Sequence, residues 1–193
     1  MTRRDLFAVA LAGLTPRPSR RKTVFIEMAG GPSHVDTFAL EIGPWTPSWL
    51  RPVAIGGALF PAGLMPRLAE MPERLRLVRG LQARSTAHHS IVPEGAGPGL
   101  IATTASFPEA CRHSLDLLRR KDLVHIRFGN WDHHGNIYER LRPMCGSFDA
   151  GVAWLIRRNV RIIAMGEFGR KPGPLNQNGG RDHDPVHAAL VVS

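Results

Sequence analysis

Residues 123–165 read LVHIRFGNWDHHGNIYERLRPMCGSFDAGVAWLIRRNVRIIAM. The first six, Leu123–Phe128, are rich in β-formers and are closed by the breaker Gly129. From Ile137 to Arg158 the apolar residues Ile137, Leu141, Met144, Phe148, Val152, Leu155 and Ile156 recur at three- and four-residue steps. That spacing places them on one face of a long helix. Val160–Met165 returns to a strand, closed by Gly166. Strand, helix and strand in this order predict a right-handed βαβ unit in a mostly parallel sheet, and so an α/β fold.

Working outward, Phe107–Arg120 predicts a second helix, with Ala110, Cys111, Leu115 and Leu118 near one face. Thr23–Met28 reads as a strand that runs into Ala29-Gly30-Gly31-Pro32, Leu75–Arg79 alternates as a strand should, and His187–Val192 supplies a last one. Leu64–Met71 predicts a short helix. Residues 41–66, rich in Pro, Gly and Trp without a sustained period, read as loop, and residues 84–106 show no period at all. Residues 23–193 are therefore expected to form a single α/β domain with an irregular middle.

A chain of 193 residues with 43% hydrophobic and 21% charged residues can bury a core of its own. No stretch approaches the roughly 20 continuous apolar residues that span a bilayer. The net charge of +9 does not argue for nucleic acid, because it is concentrated at one end. Arg3, Arg4, Arg17, Arg20, Arg21 and Lys22 face a single acid, Asp5, within residues 1–22. The other basic residues are scattered, with no stripe of interleaved aromatics. Thr2-Arg3-Arg4-Asp5-Leu6-Phe7 followed by the short apolar run Leu6–Leu14 is similar to a twin-arginine export signal. Residues 1–22 are accordingly expected to be an address, and the protein to be exported to the periplasm or beyond. Cys111 and Cys145 are too few for a disulfide framework; one bridge and two buried thiols both fit.

Ligands of open parallel sheets bind outside the carboxyl ends of the strands, and the polar clusters of this chain fall there. Thr23–Met28 leads to Ser33-His34-Val35-Asp36, and Leu123–Phe128 leads to Asn130-Trp131-Asp132-His133-His134-Gly135-Asn136. Val160–Met165 leads to Glu167-Phe168-Gly169-Arg170, and a long loop carries Asn178-Gly179-Gly180-Arg181-Asp182-His183-Asp184. Imidazole and carboxylate together suit zinc, manganese or iron, and carboxylates alone suit magnesium or calcium. Asp132 and His134, two apart, can point the same way; Asp182-His183 is a second mixed pair, and Glu167 is a fifth ligand. Two metals about 4 Å apart could activate a water and clamp a phosphoryl or sulfuryl oxygen. Arg170 and Arg181 suit bidentate binding of an anionic substrate. His88 and His89 read as surface residues.

Gly30–Phe38, Gly129–Asn136, Met165–Arg170 and Gly180–His183, in this order, resemble the domain-of-unknown-function 1501 family, whose members are similar to sulfatases and alkaline phosphatases. The resemblance implies a three-layer αβα fold with an alkaline-phosphatase-like core, a bacterial source and export by the twin-arginine route. It implies a divalent metal (zinc, manganese, magnesium or calcium) held by Asp36, Asp132, His134, Glu167, Asp182 and His183. His133 is an alternative to His134, and helix capping an alternative role for Asp36. The implied activity is hydrolysis of phosphate or sulfate esters, with an anionic small molecule or glycan ester as substrate. The alternative is a non-catalytic exported protein that keeps a degenerate metal or ligand site.

Three departures from the family pattern bear on that choice. Family members carry a large insert between the Val78–His89 region and Phe107, and continue beyond the Arg-Asp-His segment. The core is thus expected to be incomplete, with exposed sheet edges that favour self-association. Phe38-Ala39-Leu40 stands where an acidic step is expected. The nucleophile is not evident: Ser33 and Thr37 are the candidates, beside Ser85 and Thr86, and Cys111-Arg112-His113-Ser114 does not match the Cys-x-Pro-Ser-Arg signature of formylglycine sulfatases.

Overall fold

The computed structural model describes residues 22–97 and 99–193; the twin-arginine-like segment expected at residues 1–22 lies, but for Lys22, outside them. A six-stranded sheet runs β4-β10-β7-β1-β6-β5, with β1 Thr23–Met28, β4 Leu75–Gln82, β5 Leu100–Ala102, β6 Leu123–Phe128, β7 Arg161–Met165 and β10 Val186–Val192; β8 Gly169–Arg170 and β9 His183–Asp184 pair with each other outside it. β7, β1, β6 and β5 are mutually parallel. β10 runs against both β7 and β4, so β4 points the same way as the parallel four. The mostly parallel α/β sheet expected from the sequence is what the chain forms.

Three helices accompany it: α1 Pro66–Ala69, α2 Phe107–Leu118 and α3 Ile137–Ile156. In α2 the buried positions Phe107, Cys111, Ser114 and Leu118 recur at helical spacing, and the helix starts with a Pro in its first turn. Val24, Ile26 and Met28 of β1 share one core with Val124, Ile126, Phe128, Ile162 and Ala164 and with the buried faces of all three helices. Buried Asp149 of α3 accepts the backbone N–H of Arg67 and Leu68 at 3.2 and 2.8 Å, fastening α1 to that core.

Both long helices lie on one face for a topological reason. The connections β5→α2→β6 and β6→α3→β7 step across the sheet in the same direction. Right-handed crossovers that step the same way put their helices on the same side. The connection β4→β5 steps back across the whole sheet and takes the opposite face. There the segment 83–97 is coil, and its Ile91 packs on Phe25 of β1 and Ile163 of β7. The incompleteness expected of the αβα core is visible here: among the described residues this third layer holds no helix.

Two readings of irregular sequence need correction. Residues 41–66 are not all loop: β2 Pro52–Ile55 and β3 Ala58–Pro61 form an antiparallel hairpin. Its turn, Gly56-Gly57, has φ of +57° and +78°, both positive as a type I′ turn requires. Within the unreadable 84–106 region, Leu100–Ala102 is the short edge strand β5. Cys111 and Cys145 are both buried and unbridged, and burial pushes the Cys111 thiol up to about 12. Among the described residues no helix is long and apolar enough to cross a membrane.

Candidate metal centre

Five segments reach one edge of the sheet. Four follow the carboxyl ends of β1, β6, β7 and β4; the fifth precedes β10, which enters the sheet from this edge because it runs antiparallel. Backbone contacts lace them together. Gly30 has φ +112°, and a Cβ on it would lie 2.6 Å from the Asp132 nitrogen, so the first two loops abut only because the side chain is absent. Gly30 N–H donates to Glu167 Oε1 at 3.0 Å. Arg170, fully buried, donates from Nε to Gly31 O at 2.7 Å, from Nη2 to Gly30 O at 2.5 Å and from Nη1 to Arg181 O at 3.0 Å. The Asn136 and Ile137 N–H groups donate to Asn178 O and Gly179 O at 3.0 and 2.9 Å, which ties the second segment to the fifth.

At the centre of this lacing, ligand atoms of His88, Asp132 and His183 lie within 4.8 Å of one another. Asp132 Oδ1 is 3.3 Å from His183 Nε2 and 2.9 Å from His134 Nε2; Asp132 Oδ2 is 3.4 Å from His88 Nε2. Each of the three histidines turns Nε2 to this point and Nδ1 to an oxygen elsewhere. His183 Nδ1 donates to Thr86 O at 2.8 Å. His88 Nδ1 stands 3.2 Å from Glu167 Oε1, and His134 Nδ1 3.6 Å from Asp182 Oδ1. A proton committed to Nδ1 leaves the lone pair on Nε2, and an oxygen partner behind the ring is how metal-binding histidines are oriented.

The His183 nitrogen then faces two other electron-rich atoms, Asp132 Oδ1 and His134 Nε2, the latter at 3.0 Å, each of which also accepts from Arg170. A proton or a cation between them removes that repulsion. Burial by itself raises the Asp132 carboxyl, but the hydrogen bond from Arg170 and the Arg170 charge outweigh it and hold the group at about 2. It is therefore an anion throughout the neutral range, as a metal ligand must be. The residues present thus fit a divalent cation.

The other expected site residues take different places. Asp36 is fully buried: Arg181 donates to it from Nε at 2.6 Å and from Nη2 at 3.1 Å, Tyr138 Oη at 3.0 Å and Ser33 Oγ at 2.5 Å. The remaining Arg181 nitrogen donates to Lys171 O and Gly173 O. Neither residue has capacity left for a metal or a substrate. Thr37 Oγ1 donates to Ser33 O at 2.7 Å, so both hydroxyls named as nucleophile candidates are buried and turned inward. Ser85 Oγ accepts the Ala87 N–H, and Thr86 contributes its carbonyl. Glu167 and Asp182 stand behind histidines, at one remove from the converging atoms. Arg170 is occupied by carbonyls and by Asp132 Oδ1, at 2.5 Å. Of the two neighbouring histidines, His134 faces the cluster; His133 is buried away from it, and burial with the nearby Arg170 and Arg140 charges lowers it to about 4.

His88 is the residue that sequence reasoning missed. It was assigned to the surface because residues 84–106 carry no period, and its side chain is indeed half exposed. The usable signal was positional: it follows β4, a strand whose carboxyl end lies on the same edge as the other clusters.

Comparison with known proteins gives a family and a weak structural likeness. The family model described as "Protein of unknown function (DUF1501)" matches residues 95–192. No curated protein matches the chain. Among solved structures, the integral membrane protein lipooligosaccharide phosphoethanolamine transferase A (EptA) from Neisseria meningitidis aligns with a TM-score of 0.44 at 13% identity, covering 93% of this chain and 49% of that one. The chain spans about half the length of that protein.

Proposed function

The chain belongs to the DUF1501 family, and from that premise we propose that its sheet edge is the metal centre of a hydrolase-like protein acting on phosphate or sulfate esters. The observation that carries this reading is the convergence of His88 Nε2, Asp132 and His183 Nε2 within 4.8 Å, each ring backed by an oxygen at Nδ1. Two imidazoles with one carboxylate, and His134 beside them, suit zinc, manganese or iron better than magnesium or calcium. The expected pair of metals contracts to one cation, because Asp36 is spent on Arg181 and Glu167 on Gly30 and His88.

When bound, such a cation polarises an ester oxygen and acidifies water. The chain's own residues do the rest. Thr86 O and Glu167 fix the two rings, Arg170 fixes the Asp132 carboxylate, and His134, with a side chain 46% exposed, is placed to carry a proton between the site and solvent. Since Ser33 and Thr37 point inward, neither of these hydroxyls is the attacking group.

The same inward hydroxyls favour a second reading, an exported binding protein that holds the metal without turnover. A panel of aryl phosphate and sulfate esters, assayed on chelated protein with and without added zinc or manganese, separates the two. Metal-dependent hydrolysis that His134→Ala lowers by about 10²-fold or more supports the enzyme. Metal bound at one equivalent with no hydrolysis of any ester supports the binder and overturns the enzyme.

A further inference from the structure

The geometry points to Glu27 as the positioning residue of the metal centre, acting from the opposite face of the sheet without touching any ligand. Glu27 lies on β1 with its side chain fully buried among apolar neighbours. A carboxylate there is costly unless every lone pair is used, and its partners show what it is used for. Oε2 accepts from Ser90 Oγ at 3.0 Å and faces His125 Nε2 at 2.9 Å; Oε1 accepts from Ile91 N–H at 3.4 Å and from Arg127 Nη1. His125 and Arg127 belong to the adjacent strand β6, so they hold the carboxylate in place. Ser90 and Ile91 belong to the β4→β5 crossover.

That crossover, coil over residues 83–97, delivers two of the centre's parts: His88, and the Thr86 carbonyl that orients His183. On one side it is tied by Ala83 N–H to Pro185 O at 2.8 Å. Beyond His88 the tie is Glu27, two and three residues along, reinforced by Ile91 packed on Phe25 and Ile163. Fixing a segment of coil costs backbone entropy, and the ties at both ends bring His88 to where Glu167 can fix its ring. Glu27 is thus what converts an exposed loop histidine into a ligand.

This inference rests on the reading of the cluster as a metal centre, and the test separates the two. Cobalt(II) is titrated into wild type, Glu27→Gln, Ser90→Ala, His88→Ala and the Glu27→Gln/His88→Ala double variant, with visible absorption reporting the ligand set and circular dichroism reporting the fold. The expected result is a 10- to 100-fold loss of cobalt affinity in Glu27→Gln, a smaller loss in Ser90→Ala, and a cobalt spectrum in Glu27→Gln that coincides with that of His88→Ala. The double variant loses no more than His88→Ala alone. Glu27→Gln that binds cobalt as wild type does, with its spectrum, overturns the positioning role and leaves the centre standing, whatever its thermal stability. Wild type that binds no cobalt overturns the centre and the inference with it. Should Glu27→Gln fail to fold, Ser90→Ala decides, with unchanged affinity and spectrum as the contradicting result.

Discussion

Two arginine–aspartate pairs stand at the same edge of the sheet and have opposite fates. In Arg181–Asp36 both partners are sealed, and the carboxylate takes four hydrogen bonds, two of them from the guanidinium. In Arg170–Asp132 the guanidinium is equally buried, yet the aspartate side chain remains 31% exposed and turns its second oxygen toward His88. Residue type does not distinguish the pairs, since each joins an arginine and an aspartate from neighbouring motifs. What distinguishes them is leftover capacity: the first is a clasp between segments, the second a half-satisfied carboxylate held in readiness for another partner.

The largest effect expected from that contrast is on stability. Asp36→Ala strands Nε and Nη2 of Arg181 together with the Tyr138 and Ser33 hydroxyls, a broken buried ion pair that costs about 3–5 kcal/mol. Asp132→Ala costs far less, because Arg170 Nε, Nη1 and Nη2 each keep a carbonyl. Urea denaturation of the two variants side by side checks this, and equal losses would erase the distinction.

A second expectation concerns pH. His187 is buried and held at about 4 from an ordinary 6.5, by burial first and the neighbouring His34 second. Below pH 6.5 the unfolded chain takes up a proton that the native ring refuses. The His187 contribution to stability is therefore full above 6.5 and falls by about 1.4 kcal/mol per pH unit on the way to 4. His34 and His133 are lowered to about 4 as well, so His187→Phe makes the curve of denaturation midpoint against pH shallower over that window without flattening it; a curve as steep as wild type would assign the slope elsewhere.

The smallest effect sharpens the open pair. Asp182 stands 3.6 Å behind His134 with its side chain 55% exposed. Asp182→Asn should weaken metal binding by a few-fold at most, less than the 10- to 100-fold typical of a buried oriented partner. Calorimetric titration with zinc measures it, and a loss as large as that of His183→Ala would make Asp182 a ligand in its own right.

How much of this could be read beforehand follows the same physics. Elements with a sustained period were legible: β6, α3 and β7 fall within a residue or two of the ends their apolar spacing implied. The hairpin Pro52–Pro61 was missed because Pro, Gly and Trp were weighed as loop formers, while the Gly56-Gly57 turn between two short β-prone runs was not weighed as a hairpin signal. Asp132 and His134 were legible because they follow a strand of the sheet, and His183 because it lies in the long loop between two strands. Asp36 and Arg181 were named for the same reason, and only three-dimensional packing shows that each consumes the other. His88 was missed because residues 84–106 carry no period, although it follows β4, whose carboxyl end lies at the same edge.

The half-satisfied Asp132 carboxylate either binds a cation or is an ion pair and nothing more. Elemental analysis of the purified protein, wild type beside the Asp132→Ala/His183→Ala double variant, tests this most directly. The prediction is about one equivalent of zinc, manganese or iron in wild type and none in a double variant of unchanged circular dichroism. Wild type that carries no metal even after exposure to zinc and manganese would contradict the account and make the cluster an ion-paired relic of one.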